Sequence, residues 1–479
     1  MSAVYDVAVI GAGPAGLAAA TVAARHALAT VLFDEQAQPG GQIYRALTTS
    51  PATRTAILGD DYARGAVRID AFRQSGATYV PDATVWAATN RDDGLHEVGV
   101  SYGVPAARNV RSVLARAVII ATGALERPFP IPGWTLPGVM SAGAAQVLLK
   151  ASGIVAAGRV VLAGTGPLLW LVAAQYLDAG VEIDALLDTT PRGRRWRTLP
   201  DTWDFARSSY FRSGAALLRL VRKRLRIIPH VTALAASGQT RLESIQFDAA
   251  GGTRALSADL LLLHQGIVPD INLGSAMGCA HHWNDTQACF QPVIDAWGGS
   301  TLPGVYFAGD AAGITGAEAA QARGELAALA VANALGRIDS KARDATAETP
   351  RLALRRALRG RAFLDALYRP ADAYRLPQGD TIVCRCEEVT AQQVIAAVKA
   401  GAPGPNQLKA FLRCGMGPCQ GRFCGLTVTE LVARERRISP SEAGYFRLRW
   451  PAKPITLGEL AALKSSPEAE RAVVRPPPR

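Results

Sequence analysis

The sequence predicts an α/β protein with two units of strands and crossing helices, followed by a small helical domain near the C-terminus. Residues 4–35 and 159–188 each follow the order strand, glycine turn, helix, strand. Five of the seven cysteines lie between Cys384 and Cys424, among short helical patterns. A chain of 479 residues favours about two to four domains over a single core.

The composition is that of a folded globular protein, with 49% hydrophobic and 19% charged residues. The net charge of +12 comes mainly from basic clusters at 192–197, 219–226 and 351–361. No aromatic-interleaved nucleic-acid motif accompanies these clusters. We interpret them as solvated or subunit-docking faces and expect no nucleic-acid partner.

Nothing in the sequence predicts a transmembrane segment or an export signal. No apolar run approaches the roughly 18 residues that a bilayer requires, and the chain enters a predicted strand by Val4 without a signal-peptide pattern. We therefore expect a cytoplasmic protein and leave peripheral membrane contact open. Clustered cysteines in such a chain favour metal binding by thiolates over disulfides.

The first unit has the residues that a dinucleotide site requires. Gly11, Gly13 and Gly16 supply a tight turn, a close backbone approach to a pyrophosphate and a close helix–strand contact. The following helix directs its first N–H groups at the phosphates, and an acidic residue after the second strand accepts hydrogen bonds from a ribose. The predicted contacts are Gly11, Gly13, Pro14, Ala15, Gly16, Asp34 and Glu35.

Two later stretches indicate which dinucleotide this is. One strand ends in Ala121, Thr122 and Gly123 and continues into a proline-rich crossing. Another ends in Gly309 and Asp310 and continues into a helix. Together with the first unit, they resemble the two-dinucleotide-domain flavoproteins, the family of glutathione and thioredoxin reductases.

This resemblance implies non-covalent FAD. By it, Asp310 bonds the ribityl chain, and the helix after Asp310 directs its positive end at the flavin. It also implies that the loop containing Gly41 and Gln42 crosses the flavin.

The same resemblance implies a discontinuous FAD domain, at 1–125 and 290–340, with a second Rossmann-like domain at 126–289 between its parts. The disulfide reductases of this family carry a redox cysteine pair beside the GG turn or in the second domain. Here Ile43 follows the GGQ loop, and the second domain has Cys279 at its far end. Disulfide reduction is therefore excluded.

The second unit has an impaired glycine motif. Gly164 and Gly166 match it, but Leu169 occupies the third position, where a side chain pushes the helix off the strand or fills the phosphate space. Asp188 and the arginines of 192–197 still offer ribose and phosphate ligands. We do not expect NAD(P)H to reduce this protein. ATP or another nucleotide, and an empty structural domain, both stay open.

The C-terminal cysteines predict an iron–sulfur cluster. A [2Fe–2S] cluster takes four thiolates, usually from short cysteine pairs in loops, and we predict Cys384, Cys386, Cys419 and Cys424 as its ligands. Cys414 is left over, although a C-x4-C pair that begins there has the same spacing. A four-cysteine zinc site also stays open. The pattern resembles the bacterioferritin-associated-ferredoxin-like domain.

The order of the parts along the chain forms a further pattern. After the two α/β domains come an Arg-rich helical linker at 341–376, the [2Fe–2S] helical domain at 377–445 and a tail at 446–479. This order is similar to the alpha subunits of bacterial opine oxidases, D-hydroxyproline dehydrogenase and hydrogen cyanide synthase. The resemblance implies an oxidoreductase subunit that relays electrons from a substrate-oxidising subunit to an acceptor, within a complex acting on CH–NH donors.

The resemblance also implies partners. The first is a glycine-oxidase-like FAD beta subunit. Some relatives add a small ferredoxin-like gamma subunit, and FMN at the subunit contact is left open. No acid–base pair stands beside the flavin motifs, so we assign no catalytic residue and expect the substrate chemistry in another chain. Two alternatives stay open: a hydrogen cyanide synthase subunit, and a self-standing NAD(P)H-dependent ferredoxin-type reductase.

Overall fold

A computed structural model describes residues 4–104 and 107–463. The N-terminal part contains β1 (Val4–Ile10), α1 (Pro14–Arg25), β2 (Thr30–Phe33), a 3-10 helix (Leu47–Thr49), α2 (Ala52–Leu58), α3 (Asp60–Ala63), α4 (Gly65–Arg73), β3 (Thr78–Val80), β4 (Ala83–Asn90), β5 (His96–Tyr102) and β6 (Asn109–Ile120). These strands form one sheet in the order β3-β2-β1-β6-β5-β4, in which the first four run parallel. The apolar run of β2 is buried throughout, as expected for a central parallel strand.

The second α/β unit, which spans residues 124–277, follows directly. It contains β7 (Ala124–Glu126), β8 (Val139–Ser141), α5 (Ala142–Ser152), β9 (Val160–Gly164), α6 (Pro167–Asp178), β10 (Ile183–Asp188), α7 (Arg194–Arg197), a 3-10 helix (Leu199–Asp201), α8 (Thr202–Ala206), α9 (Ser209–Arg224), β11 (Ile227–Pro229), β12 (Ala233–Ser237), β13 (Ser244–Ala249), β14 (Gly252–Ser257), β15 (Leu260–His264), β16 (Ile267–Pro269) and α10 (Asn272–Met277). A parallel sheet has the order β11-β10-β9-β15-β8, beside an antiparallel sheet of β12, β13 and β14. Strands β7 and β16 pair at the crossing between the two units.

The chain then returns to the first sheet. The returning elements are β17 (His281–Asn284), β18 (Cys289–Pro292), β19 (Val305–Phe307), a 3-10 helix (Gly309–Ala312) and α11 (Ala317–Ala334). Strand β19 pairs in parallel with β6. Helix α11 lies so close to α1 that a Cβ on Gly324 would stand 2.1 Å from the backbone oxygen of Ala15. The first unit is therefore built from two separate stretches of the chain.

The rest of the described chain is mainly helical. It contains α12 (Ser340–Leu358), α13 (Arg361–Leu367), α14 (Asp372–Arg375), β20 (Ile382–Cys384), β21 (Val389–Thr390), α15 (Ala391–Lys399), α16 (Pro405–Leu412), α17 (Gly425–Arg436), α18 (Pro440–Ala443) and α19 (Leu457–Ala461). Thr390 and Gln393 form the capping box that starts α15. The apolar faces of α15, α16 and α17 close a small separate core around the C-terminal cysteines.

The segment after α18 runs back along the first unit. The amide of Ala452 donates to the backbone oxygen of Trp86 at 2.7 Å, and Lys453 forms an ion pair with Glu35. The last part of the predicted tail, 464–479, lies outside the described residues. Within the described ranges, no helix is both long enough and apolar enough to cross a membrane.

Candidate functional site

The turn between β1 and α1 is held by contacts that only glycine permits. Gly11 has a φ of +104°, and a Cβ on it would lie 2.4 Å from the backbone oxygen of Ala121. A Cβ on Gly16 would lie 1.8 Å from the backbone oxygen of Gly11. These two glycines therefore fix the turn against the end of β6, as a dinucleotide site requires.

Gly13 faces open space instead. Its backbone is extended, with a φ of −74°, and a Cβ on it would meet nothing nearer than Cα of Gly41, at 3.9 Å. The space lies at the N-terminus of α1, where Pro14 begins the helix and Ala15 is buried. A side chain on Gly13 would fill this space, which is lined by backbone and faces the positive end of a helix. The residues present therefore fit the pyrophosphate of FAD.

Asp34 connects the glycine turn to the second strand. Its carboxylate accepts hydrogen bonds from the backbone amides of Ala12 at 2.5 Å and Gln36 at 2.8 Å. Burial raises the pKa of Asp34. The neighbouring Glu35 is exposed and pairs with Lys453. The ribose contacts predicted for the two acids stay a prediction, and the structure adds that Asp34 orients the turn.

Asp310 lies between β19 and α11. Its Oδ1 accepts hydrogen bonds from the amides of Thr315, at 2.9 Å, and Gly316, at 3.2 Å, which fixes the loop before the helix. A Cβ on Gly309 would lie 2.7 Å from Cβ of Ala15, so this turn contacts α1. The segments predicted to bind FAD therefore meet around the first glycine turn: 11–16, 41–42, 121–123 and 309–310.

A buried lysine from the second unit contacts the loop of Gly41 and Gln42, and nothing in the sequence indicates it. Lys150, in α5, donates hydrogen bonds to the backbone oxygen of Gln42 and the side-chain oxygen of Gln146, both at 3.1 Å. Only 5% of Lys150 is exposed, and burial lowers its pKa to about 8. Lys150 therefore holds the loop that the family resemblance places across the flavin.

Five cysteines meet at one place, which we call the thiol cluster: Cys384, Cys386, Cys414, Cys419 and Cys424. Three of them, Cys384, Cys414 and Cys424, are buried, and their sulfurs all lie within 4.8 Å of one another. The described part of the chain holds no other group of three or more His, Cys, Asp or Glu side chains placed to share a metal ion. The buried trio includes Cys414, which the spacing argument leaves over.

Hydrogen bonds concentrate negative charge on Cys384. The thiols of Cys414 and Cys424 donate to its sulfur and lower the pKa of Cys384 to about 2, with help from the backbone amides of Gly415 and Glu387. The same bonds raise the pKa of Cys414 and of Cys424, because those thiols are the donors. Backbone N–H groups directed at a thiolate are the surroundings that an iron–sulfur cluster needs.

Cys386 and Cys419 form the outer edge of the thiol cluster. Their side chains are in contact, and the backbone amide of Cys419 donates to the sulfur of Cys386. Cys386 is exposed and Cys419 is half-buried. Five adjacent thiols with amide donors fit a [2Fe–2S] cluster, which takes four of them. Which four remains a prediction.

The loop that carries three of these cysteines, residues 414–424, we call the cluster loop. Its glycines are required by the packing: a Cβ on Gly415 or Gly421 would lie 2.6 Å from the ring of Phe446. A Cβ on Gly417 would lie 2.2 Å from Cβ of Cys386. The glycines therefore let the loop wrap tightly around the sulfurs.

The cluster loop is hydrogen-bonded to the crossing between the two α/β units. The side-chain amide of Asn272 donates to the backbone oxygen of Gln420 at 3.0 Å. Asp270, two residues earlier, donates its amide to the backbone oxygen of Gly123 at 3.0 Å and accepts the hydroxyl of Thr122 at 3.3 Å. One short segment thus contacts both the predicted FAD site and the cluster loop.

Arg422 adds a second polar link. Its Nε lies 4.0 Å from Oδ2 of Asp270, and its other nitrogens donate to the backbone oxygens of Cys419, at 3.1 Å, and Ala452, at 2.9 Å. An apolar patch completes the contact. It consists of Val268, Ile271, Cys289, Phe290 and Leu426, with Leu125, Trp283 and Tyr445 at its edge.

The second glycine turn has a different arrangement. A Cβ on Gly164 would lie 1.6 Å from the backbone oxygen of His264, so this turn is also held tightly. Leu169, in the first turn of α6, is fully buried in the core. It is not among the residues that line the space in front of the turn, so the prediction that its side chain fills the phosphate space is wrong. Asp188 accepts a hydrogen bond from the amide of Thr190 at 2.9 Å.

Two family models cover most of the chain. Residues 5–334 match the pyridine nucleotide-disulphide oxidoreductase family, and residues 382–434 match the BFD-like [2Fe-2S] binding domain. Over 475 residues, the chain is 46% identical to the A subunit of opine oxidase from Agrobacterium tumefaciens (strain Ach5), and the alignment covers 99% of this chain and 94% of the relative. The chain belongs to the family of opine oxidase A subunits.

Other relatives agree with this family. Hydrogen cyanide synthase subunit HcnB of Pseudomonas aeruginosa is 31% identical over 469 residues, which cover 93% of this chain and 96% of the relative. Among solved structures, the L-proline dehydrogenase from P. horikoshii has a similar fold, with a TM-score of 0.70 at 19% identity, covering 96% of this chain and 79% of that one. The predicted family and fold class are confirmed, as are the oxidoreductase class and the FAD and [2Fe–2S] domains.

Proposed function

We propose that this chain is the electron-transfer subunit of an amine or imino-acid dehydrogenase or oxidase complex in the cytoplasm. The observation that carries the proposal is the attachment of the cluster loop to the FAD domain. Asn272 bonds Gln420 of the loop, and Asp270 bonds Thr122 and Gly123 at the predicted FAD site. A chain built only to bind partners has no need to join two redox sites through one short segment.

The two predicted cofactors divide the electron count between them. When bound, FAD exchanges two electrons and a [2Fe–2S] cluster exchanges one at a time, so together they connect a two-electron oxidation to single-electron acceptors. The protein supports this transfer by holding the predicted FAD site and the thiol cluster in place relative to each other. The cluster loop also presents exposed apolar side chains, Met416 and Phe423, beside the half-buried Cys419. These side chains support contact with a partner at the thiol cluster.

The relatives support work within a complex, since the matched proteins are subunits of an opine oxidase and of a hydrogen cyanide synthase. In our proposal, a glycine-oxidase-like FAD beta subunit removes a hydride and a proton from the substrate's CH–NH group. The two electrons then pass through this chain to the acceptor. An FMN at the subunit contact and a small ferredoxin-like gamma subunit complete the proposed assembly.

The test is to produce the chain together with a glycine-oxidase-like beta subunit and to purify the complex. Opines, D-hydroxyproline and glycine are then offered as substrates with an artificial electron acceptor. We expect the substrate to reduce the iron–sulfur cluster in the complex, so that the signal of the reduced cluster appears. In the isolated chain, the substrate should leave the cluster oxidised. Substrate oxidation by the isolated chain would contradict the proposal, and so would full turnover by a complex whose Cys424→Ser chain has lost its iron.

A further inference from the structure

A buried cation of the second unit reaches the predicted FAD site. Lys150 lies near the end of α5, and its Nζ donates to the backbone oxygen of Gln42 at 3.1 Å. Gln42 belongs to residues 40–42, the GGQ loop, which the family resemblance places across the flavin. The lysine therefore brings a charge of the second unit against a segment of the first unit that we assign to the cofactor.

Neutral side chains hold the Lys150 ammonium in place. Its Nζ also donates to the side-chain oxygen of Gln146 at 3.1 Å, and the amide of Gln146 donates to the side-chain oxygen of Gln175 at 2.8 Å. The amide of Gln175 in turn donates to the backbone oxygen of Leu58 at 3.3 Å. Both glutamines are buried. This chain of hydrogen bonds fixes the direction of the lysine and supplies no negative charge to it.

The charge of Lys150 has no counter-ion in the described part of the chain. No acidic side chain there raises its pKa, and the positive charge of Arg45 adds to the effect of burial in lowering that pKa. An ammonium group has three N–H donors, and partners within the described ranges accept from two of them. A buried charge without a counter-ion is strongly unfavourable, so an anion beside Lys150 would remove a large penalty.

Arg45, the other cation at this loop, is better balanced. Its Nε donates to the backbone oxygen of Gly41 at 3.2 Å. Burial lowers the pKa of Arg45, and the carboxylates of Asp34 and Glu35 oppose that effect. The acids at the end of β2 therefore offset the charge of Arg45 and leave that of Lys150 without a counter-ion.

A bound FAD brings two anionic groups, the pyrophosphate and the reduced ring. The pyrophosphate has a site of its own in the open space at Gly13 and the N-terminus of α1. The ring becomes negative only on reduction, because it takes up two electrons and one proton. A fixed positive charge near the ring nitrogens stabilises that reduced form relative to the oxidised one.

We propose that Lys150 is a counter-charge for the reduced flavin and raises the reduction potential of the bound FAD. The field of a buried charge is weakly screened over several ångströms, so this effect does not require direct contact with the ring. Because the charge comes from α5, the second unit has a use in this chain even without a bound nucleotide.

This inference rests on the FAD site and not on the proposed relay. It concerns the isolated chain, so a failure of transfer from a partner subunit would leave it standing. An unchanged flavin potential in the Lys150 variants would overturn it and leave the relay standing.

The experiment compares the wild type with Lys150→Met and Gln146→Glu, each loaded with FAD. Sulfite forms a bond from its sulfur to the oxidised ring and leaves a negative charge there, and it removes the flavin absorption band. We expect saturable sulfite binding by the wild type and at least about tenfold weaker binding by Lys150→Met, because the buried positive charge is lost. Dye-coupled reduction should show a potential lower by at least about 30 mV, which corresponds to tenfold for a two-electron couple.

Gln146→Glu changes the same charge by another route. Its carboxylate would lie where Lys150 now bonds the amide oxygen, so it should offset the ammonium and weaken sulfite binding in the same direction. It also serves if Lys150→Met does not fold. Lys341→Met, on the exposed face of α12, should leave the sulfite affinity and the potential unchanged.

The outcomes separate the ring from the pyrophosphate. Equal loss of affinity for oxidised and reduced FAD in Lys150→Met, with an unchanged potential, would assign the charge to the pyrophosphate and overturn the proposal. The proposal also fails if the wild type does not bind sulfite, or if both variants bind it as tightly as the wild type.

Discussion

The side-chain amide of Asn272 donates a hydrogen bond to the backbone oxygen of Gln420, 3.0 Å away, and so joins the cluster loop to the crossing between the two α/β units. The backbone amide of Asn272 in turn donates to Asp270 at 3.2 Å. Asp270 bonds the backbone at Gly123, within the predicted FAD site. In the proposed function, this segment sets the separation of the two redox sites.

We expect the double variant Asn272→Ala, Arg422→Gln to keep its FAD and iron but to pass electrons between them more slowly. Each lost hydrogen bond is worth about 1 kcal/mol, so the cluster loop should leave its place against the crossing more often, and the transfer rate should fall. The measurement is the appearance of the reduced-cluster signal in freeze-quenched samples after photoreduction of the flavin. Arg413→Gln is the control, because Arg413 is 68% exposed and pairs with Glu387 nearby. An unchanged rate in the double variant would show that this contact does not matter for transfer.

Gly13→Val should abolish FAD binding without unfolding the chain. The backbone of Gly13 is extended and a Cβ there has room, so the new side chain enters the space that we assign to the pyrophosphate. Losing phosphate contacts worth about 3 kcal/mol weakens binding roughly a hundredfold. The measurement is FAD released into the supernatant by acid, per mole of protein, with circular dichroism to show folding.

Gly214→Val is the matched control for this experiment. Gly214 lies in α9, and a Cβ on it would have open space, with no heavy atom within 4 Å. The Gly214→Val variant should therefore keep its FAD. Full FAD content in Gly13→Val, or flavin that stays in the precipitate of the wild type, would contradict the predicted non-covalent site.

The segments around the first glycine turn could be predicted because each carries its own local signature. Gly11 and Gly16 are required by backbone contacts, and those requirements leave a fixed spacing in the sequence. Long-range partners leave no such trace. Asn272 and Gln420 are 148 residues apart, and either could be replaced by many polar residues in an isolated loop. Cysteine spacing likewise reports which thiols are adjacent in sequence, whereas burial of Cys414 beside Cys384 depends on how the loop folds.

Lys150 should make the stability of the chain depend on pH. Folding lowers its pKa from 10.5 to about 8, so the unfolded chain binds more protons between these values and stability rises as the pH increases through that range. The unfolding free energy of the wild type, measured relative to that of Lys150→Met, should therefore rise by up to about 3 kcal/mol between pH 8 and pH 10.5. Urea denaturation with saturating FAD measures it.

Lys341→Met provides the comparison, since Lys341 is exposed on α12. Its stability should follow that of the wild type across the same range. Parallel curves for the wild type and Lys150→Met would show that Lys150 titrates like a solvated lysine, and that its burial does not persist in solution.

NADH and NADPH should reduce the bound flavin far more slowly than dithionite does. The linker at Arg361 and Arg369 lines the space in front of the second glycine turn, so little room is left there for a nicotinamide nucleotide. Misplacing a hydride donor by even about 1 Å costs on the order of a hundredfold in rate. Anaerobic stopped-flow bleaching at the flavin band provides the measurement. Bleaching by either nucleotide as fast as by dithionite would favour a self-standing reductase instead.

Single serine variants of the five thiols should show which four hold the cluster. We predict that serine at Cys384, Cys386, Cys419 or Cys424 removes or badly destabilises the [2Fe–2S] signal, since a hydroxyl is a harder and poorer ligand for iron than a thiolate. Cys414→Ser should keep its iron, although the structure places this thiol in the buried trio. Every variant should keep FAD, because the glycine turn at Gly11 is far in sequence from the five cysteines and packs against a different hydrophobic core.

The measurement is iron analysis and electron paramagnetic resonance of the five purified variants, each with its FAD content as an internal control. The pair that decides is Cys414→Ser and Cys386→Ser, because Cys414 is buried and Cys386 is exposed. Loss of iron from Cys414→Ser, with iron retained in Cys386→Ser, would show that the buried Cys414 is a ligand and that the exposed Cys386 is not. Retention of iron by both would mean that each thiol can substitute for the other, since four ligands would remain in either variant. Zinc in place of iron, with no paramagnetic signal on reduction, would leave the chain without a second redox site and would contradict the relay.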